Sequence, residues 1–122
     1  MGMEKIHSFH QLVTWQKAHA LVLVVYKLTK LYPKEEQYVL VPQIRRCAIS
    51  ITSNIAEGFS RWSLKEKIQF YFIALGSLTE LENQLTISRD LVYINKQQYE
   101  DIEKKVIVVQ KLLNGSIRSI RS

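Results

Sequence analysis

Apolar positions recur every three or four residues along almost the whole chain, which is the spacing of helices that bury one side. Trp15, Ala18, Val22, Val25 and Thr29 mark a first stripe, widened by Leu21 and Leu28. Pro33 closes that segment, so a first helix is expected over about Gln11–Tyr32. Residues 34–40 read as a polar connection, and Pro42 suits the first turn of a second helix ending near Gly58, a natural C-terminal cap. Ser63 followed by Glu66 is a capping box that opens a third helix, about Leu64–Leu91. Its stripes are Leu64, Ile68, Tyr71, Leu75, Leu78 and Leu85, and Phe70, Ala74, Ser77 and Leu81. Asn95 caps a fourth helix to about Ile117, along which Tyr99, Ile102, Val106, Val109, Leu113 and Ile117 form a heptad seam. Gly115 is expected to loosen its last turns. The β-branched run Val106–Val109 has strand propensity, but its helical setting favours helix.

Four such segments with short connections predict an all-α, up-down-up-down four-helix bundle. The expected division is an N-terminal segment, 1–10, and one bundle domain, 11–122. Met1 and Gly2, ahead of Met3, read as a cloning remnant.

The second helix departs from a plain bundle helix. Arg46, Ser50, Asn54 and Glu57 place a polar stripe beside the apolar face of Ala48, Ile51, Ile55 and Phe59. Small residues along it, including Ala48, Ser50, Ser53, Ala56 and Gly58, permit close approach of a neighbouring backbone. In an antiparallel hairpin turning near Ser60–Trp62, facing residue numbers sum to about 124. That register sets Ser50 against Ala74, Asn54 against Phe70, Glu57 near Lys67, and Arg45 or Arg46 against Glu80 in an ion pair. Arg45, Arg46, Asn54, Glu57 and Glu80 are thus expected to form a structural polar cluster, with Asn54 and Glu57 free to bridge a neighbouring chain.

From Leu21 to Tyr26 six consecutive residues are apolar. A helix apolar all round needs cover on more than one side, so a second subunit is expected there. The run is far shorter than the ~20 residues of a membrane span, and no membrane role is expected.

The net charge of +6 lies at the chain ends. Residues 1–34 hold five basic and one acidic side chain, 95–122 six and three, and 35–94 six and seven. Lys17, Lys27 and Lys30 on the first helix and Lys104, Lys105, Lys111, Arg118 and Arg121 on the fourth would merge into one wall if those helices are neighbours. Such a wall contacts phosphates and carries little sequence information. The C-terminal SIRSIRS reads as an arm that orders on RNA or DNA. The bland alternative is a solvated surface that keeps a small protein in solution.

Catalytic chemistry is not evident. His7, His10 and His19 lack partners for a metal or acid–base site, and the Glu4-x-x-His7 spacing occurs once where a di-iron bundle needs two copies. Cys47 has no histidine partner and reads as a buried thiol in a reducing, cytoplasmic setting. Phosphate-loop and dinucleotide glycine motifs are missing. No enzyme activity, cofactor or metal is expected.

The segment QIRRCAISITSNIAEGFSR (Gln43–Arg61) resembles the signature helix of the four-helix-bundle proteins encoded within intervening sequences of bacterial 23S ribosomal RNA. LVTWQKAHALVLVVYKLT (Leu12–Thr29) is similar to that family's first helix, and YFIALGSLTELENQL (Tyr71–Leu85) to its third. Val39 and Val41 near Pro42, and Ser60, depart from the pattern. The resemblance implies a left-handed bundle that assembles into a ring, most often a homopentamer, and no catalytic residues. A related branch, accessory proteins of diversity-generating retroelements, implies a basic exterior that binds nucleic acid and a reverse transcriptase. Two functions are therefore expected: an oligomeric RNA- or DNA-binding module, or a structural adaptor for a protein such as a reverse transcriptase.

Overall fold

The computed structural model describes residues 6–122. Four helices make the bundle: α1 Val13–Thr29, α2 Leu40–Ser60, α3 Leu64–Asp90 and α4 Lys96–Arg121. Short 3-10 turns, Phe9–Gln11 and Lys34–Glu36, precede α1 and α2, and there is no strand among the described residues. Each helix packs on its chain neighbour, and α1 closes the bundle against α4. The expectations at Met1–Gly2 and Glu4 lie outside the described residues.

The predicted stripes supply the core, except that Leu64, expected to open the α3 stripe, is exposed before the helix meets its neighbours, and Ile68, Phe70 and Leu75 are half-buried. Ala18, Leu21, Val22, Val25 and Thr29 of α1 are buried, as are Ala48, Ile51 and Ile55 of α2. So are Tyr71, Ala74, Leu78, Leu81 and Leu85 of α3. The α4 seam is buried from Ile102 to Ile117, with Tyr99 packed at its edge. Run Val106–Val109 is helical because the alternating three- and four-residue steps bury Val106 and Val109 on one side.

Boundaries differ where side chains override local signals. Leu12 is extended (ψ 126°), so α1 starts later than expected, after a turn capped reciprocally by Ser8 and Gln11. It also ends at Thr29, well before Pro33. There the Thr29 hydroxyl donates to the Val25 carbonyl (2.7 Å), and Gln37 Nε2 donates to the carbonyls of Thr29 (3.1 Å) and Tyr32 (3.0 Å). These bonds take up carbonyls that a continuing helix would have used. Pro42 is the third residue of α2, still inside the turn whose N–H groups lack helical partners. Gly58 is not a cap but a helical residue at a close crossing. A Cβ there would meet the Tyr71 ring at 2.7 Å. The C-terminal carbonyls of α2 at Gly58 and Phe59 instead receive Lys67 Nζ, at 3.2 and 2.7 Å, a cation at the negative end of a helix. Gly115 does not interrupt α4, and the segment read as an arm is regular helix to Arg121.

Leu21, Val22 and Val25 are hidden by the protomer's own helices, and Val24 and Tyr26 are half-buried. Leu23 is left 57% exposed. The bundle therefore supplies most of the cover that was expected from a second subunit, because α1 is flanked by α2 and α4 at once.

Two departures from ideal chemistry are testable. α3 ends in a Schellman motif: Tyr93 N–H donates to Ser88 O and Val92 N–H to Arg89 O, both at 2.9 Å. The position that favours glycine is Val92, at φ 63° and 83% exposed. A β-branched residue there is strained by about 1–2 kcal/mol. Val92→Gly is expected to raise unfolding stability by about 1 kcal/mol, read by denaturant titration.

Across the α3–α4 interface, one Glu103 oxygen is buried without a donor among the described residues. Burial, and next the neighbouring Glu82 carboxylate, push the Glu103 carboxyl up to about 6, with Arg89 opposing. The folded chain therefore holds this proton more tightly than the unfolded chain, so stability falls as pH rises from the unfolded value near 4.5 through about 6. Glu103→Gln is expected to be more stable than the parent by about 1 kcal/mol at pH 7.5, with the difference vanishing below pH 4.5 in pH-dependent thermal melts.

Candidate nucleic-acid interface

Closure of α1 against α4 brings lysines distant in sequence together. Lys17, Lys104 and Lys105 line one groove between these helices, floored by Ala20 and Val108 and edged by Asp101. Val13, Leu23, Ile107 and Val108 add exposed apolar surface on the same two helices. Lys111 lines the next groove along, with Thr14, Gly115 and Ser116. Arg118 and Arg121 turn toward α3, where they line a groove with Asn114, Ile117 and Phe72. Lys27, on the last turn of α1, and Lys30, just past its end, are exposed and do not join either cluster. The expected wall is thus a ridge along α4 joined by one lysine of α1. Lys104, Lys111 and Arg118 lie seven residues apart and stay on one side of the helix, drifting by only about 20° per step. All three are exposed.

The polar residues of α2 are arranged otherwise than expected. No ion pair joins Glu80 to Arg45 or Arg46 among the described residues. Arg45 turns the opposite way, to α1. Its guanidinium lies 4.4 Å from the centre of the Tyr26 ring, and donates to Thr29 Oγ1 (3.0 Å) and the Tyr26 carbonyl (3.3 Å). It closes the C-terminal end of α1, where a cation meets the helix dipole. Arg46 and Glu80 do share a groove, lined also by Gln43, Cys47, Ser50 and Gln84. Glu57 pairs with Arg61 (2.8 Å), the extended residue just past the end of α2, and Lys67 takes the carbonyls of Gly58 and Phe59. Asn54 Nδ2 donates to the Ser50 carbonyl (2.8 Å) and hydroxyl (3.1 Å). The Ser50 hydroxyl meets Ser77 (2.9 Å) rather than Ala74. Cys47 meets the same residue, so facing numbers here sum to between 124 and 127, at and slightly above the expected register.

Cys47 is buried, with its Sγ–H directed at the Ser77 carbonyl (3.0 Å). Burial, and then Glu80, push the thiol up to about 12, so it stays protonated at neutral pH. His19 stacks on Trp15 (4.6 Å), which His10 and Phe9 meet edge-on. No group of three or more His, Cys, Asp or Glu among the described residues is placed to hold a metal. Nor is any described helix long and apolar enough to cross a membrane.

Two residues of this region carry more than their sequence context announced. Gln84 is buried at 6% exposure, yet its Oε1 has no donor among the described residues. Gly76 sits mid-helix on α3, and a Cβ there would meet nothing within 4 Å. A bare heptad pattern signals only that Gln84 is near the core edge, not that its acceptor lacks a partner.

The class defined by these features is an all-α four-helix bundle with a basic α1–α4 side and a polar α2–α3 side. The chain belongs to the 23S rRNA-intervening sequence protein family, which matches residues 10–115. It is similar to a protein of unknown function from the S23 ribosomal protein family of Bacteroides thetaiotaomicron VPI-5482, solved by crystallography at 1.70 Å. The two share 30% identity over 86% of this chain and 98% of that chain, with a TM-score of 0.80. No curated protein matches the sequence.

Proposed function

We propose that this chain is a non-enzymatic, self-associating module that binds RNA or DNA through the basic side of α1 and α4. The observation that carries the reading is the meeting of Lys17, Lys104 and Lys105 at one groove, continued along α4 by Lys111 and Arg118. A ridge of ammonium and guanidinium groups with no acidic partner within 4 Å among the described residues at these five positions is suited to a phosphate backbone. Binding of this kind is strong at low salt and weak in sequence preference.

Self-association is assigned to the opposite side, α2–α3. Ile73, Gly76, Glu80, Asn83 and Ile87 step by threes and fours along the outer side of α3, and all are exposed. A mid-helix glycine costs about 1 kcal/mol relative to alanine. Nothing inside the protomer requires it, whereas a second helix lying close over α3 would. The unpartnered Gln84 oxygen and the neighbouring Arg46 and Glu80 offer hydrogen bonds to such a partner. The ring and its pentameric count are implied by the family resemblance.

Fluorescence anisotropy of labelled RNA and DNA tests the first part. The double variant Lys104→Gln/Lys105→Gln is expected to weaken binding to all sequences alike, and to make the log–log salt slope shallower by about 2. No binding at low salt by the parent protein would remove the proposal. Light scattering tests the second part. The parent is expected at a multiple of 14.3 kDa, and Gly76→Arg, which the protomer has room to hold, as a folded species near the monomer mass. A parent that is monomeric at micromolar concentration sinks it.

A further inference from the structure

The groove at the C-terminal end of α4 differs from the lysine groove in having an aromatic wall. Phe72 of α3 is 44% exposed, and the Arg121 guanidinium lies 5.2 Å from its ring centre. Asn114 and Arg118 complete the lining over the buried Ile117. Because α4 stays helical to Arg121, Asn114, Arg118 and Arg121 follow one another at four- and three-residue steps on one side. Arg118 is also the end of the ridge that begins at Lys104. A phosphate backbone following that ridge would therefore arrive at a part-exposed aromatic ring overlain by the Arg121 guanidinium, with Arg118 and a carboxamide beside it.

These are the parts of a stacking platform. Duplex bases are already stacked on one another and cannot reach a ring set between helices, whereas the bases of a single strand can. We infer that the ligand of the basic side is single-stranded nucleic acid, with one base stacked on Phe72 and the adjoining phosphates held by Arg118 and Arg121. Arg121 already covers the ring, so an arriving base replaces it there, and its guanidinium moves outward to a phosphate oxygen. Asn114 presents both a donor and an acceptor to the edge of that base. This inference rests on the nucleic-acid reading of α1 and α4 and narrows its ligand.

The test compares a labelled mixed-sequence single-stranded 12-mer with the blunt duplex of the same strand, on the full chain. Phe72→Leu keeps apolar bulk at an exposed site and removes only the ring, and Phe72→Trp enlarges the platform. Phe72→Leu is expected to weaken single-strand binding by roughly tenfold, a loss that Phe72→Trp avoids, with duplex binding and the salt slope unchanged. Circular dichroism melts confirm that the variants fold. If single strands bind Phe72→Leu as they bind the parent, while Lys104→Gln/Lys105→Gln weakens both ligands, the platform is refuted and the wider reading stands. If the parent binds neither ligand at low salt, both fall together.

Discussion

The close contact between α2 and α3 is the constraint from which the other placements follow. At Gly58 the two helices approach until a single methyl would strike the Tyr71 ring. Further along, a serine pair and the Cys47 thiol bridge the same interface with short polar contacts. A crossing this tight admits one register, because a slip of one residue would drive side chains into the space that Gly58 leaves open. With α2 and α3 set, α1 and α4 are left to cover the remaining apolar sides, and they can do so only by meeting each other. That meeting is what gathers the lysines.

Charge is distributed over this frame with a consistent division. Cations that serve the fold lie at helix ends: Arg45 at the end of α1, and Lys67 at the end of α2. There they satisfy carbonyls that the helices themselves cannot. Cations on the outer side of α4 have no such duty. Lys104, Lys105, Lys111 and Arg118 form no side-chain ion pair among the described residues. The α2–α3 side shows a different pattern, with a buried carboxamide oxygen that has no donor among the described residues and a glycine with open space where a Cβ would stand. One side thus carries a ridge of exposed cations, and the other a mid-helix glycine with open space above it.

Much of the architecture was legible from residue spacing. The heptad seam of α4, the stripe of α1 and the Ser63 and Asn95 caps stand where the pattern puts them. These are local features, set by which residues fall on one side of a helix and which side chains reach the first free N–H groups. Helix ends decided by distant groups were not legible. Gln37 and Arg45 finish α1 from other elements, and nothing near Thr29 in the chain announces them. Gly58 shows the ambiguity in its simplest form, since a glycine near the end of a helical pattern looks the same whether it caps the helix or admits a neighbour.

The same boundary separates what was known of the candidate site from what was not. Its residue types and the surplus of charge at both chain ends follow from composition, and the stripe spacing requires a bundle of helices. Which arginine serves the fold depended on tertiary packing, as did the turn of Arg118 and Arg121 toward Phe72 and the absence of a Glu80–arginine pair. Periodicity specifies the side of a helix on which a residue lies. The rotation and offset of one helix against another are decided by the fit of side chains across their interface, and that fit exists only once the chain has folded.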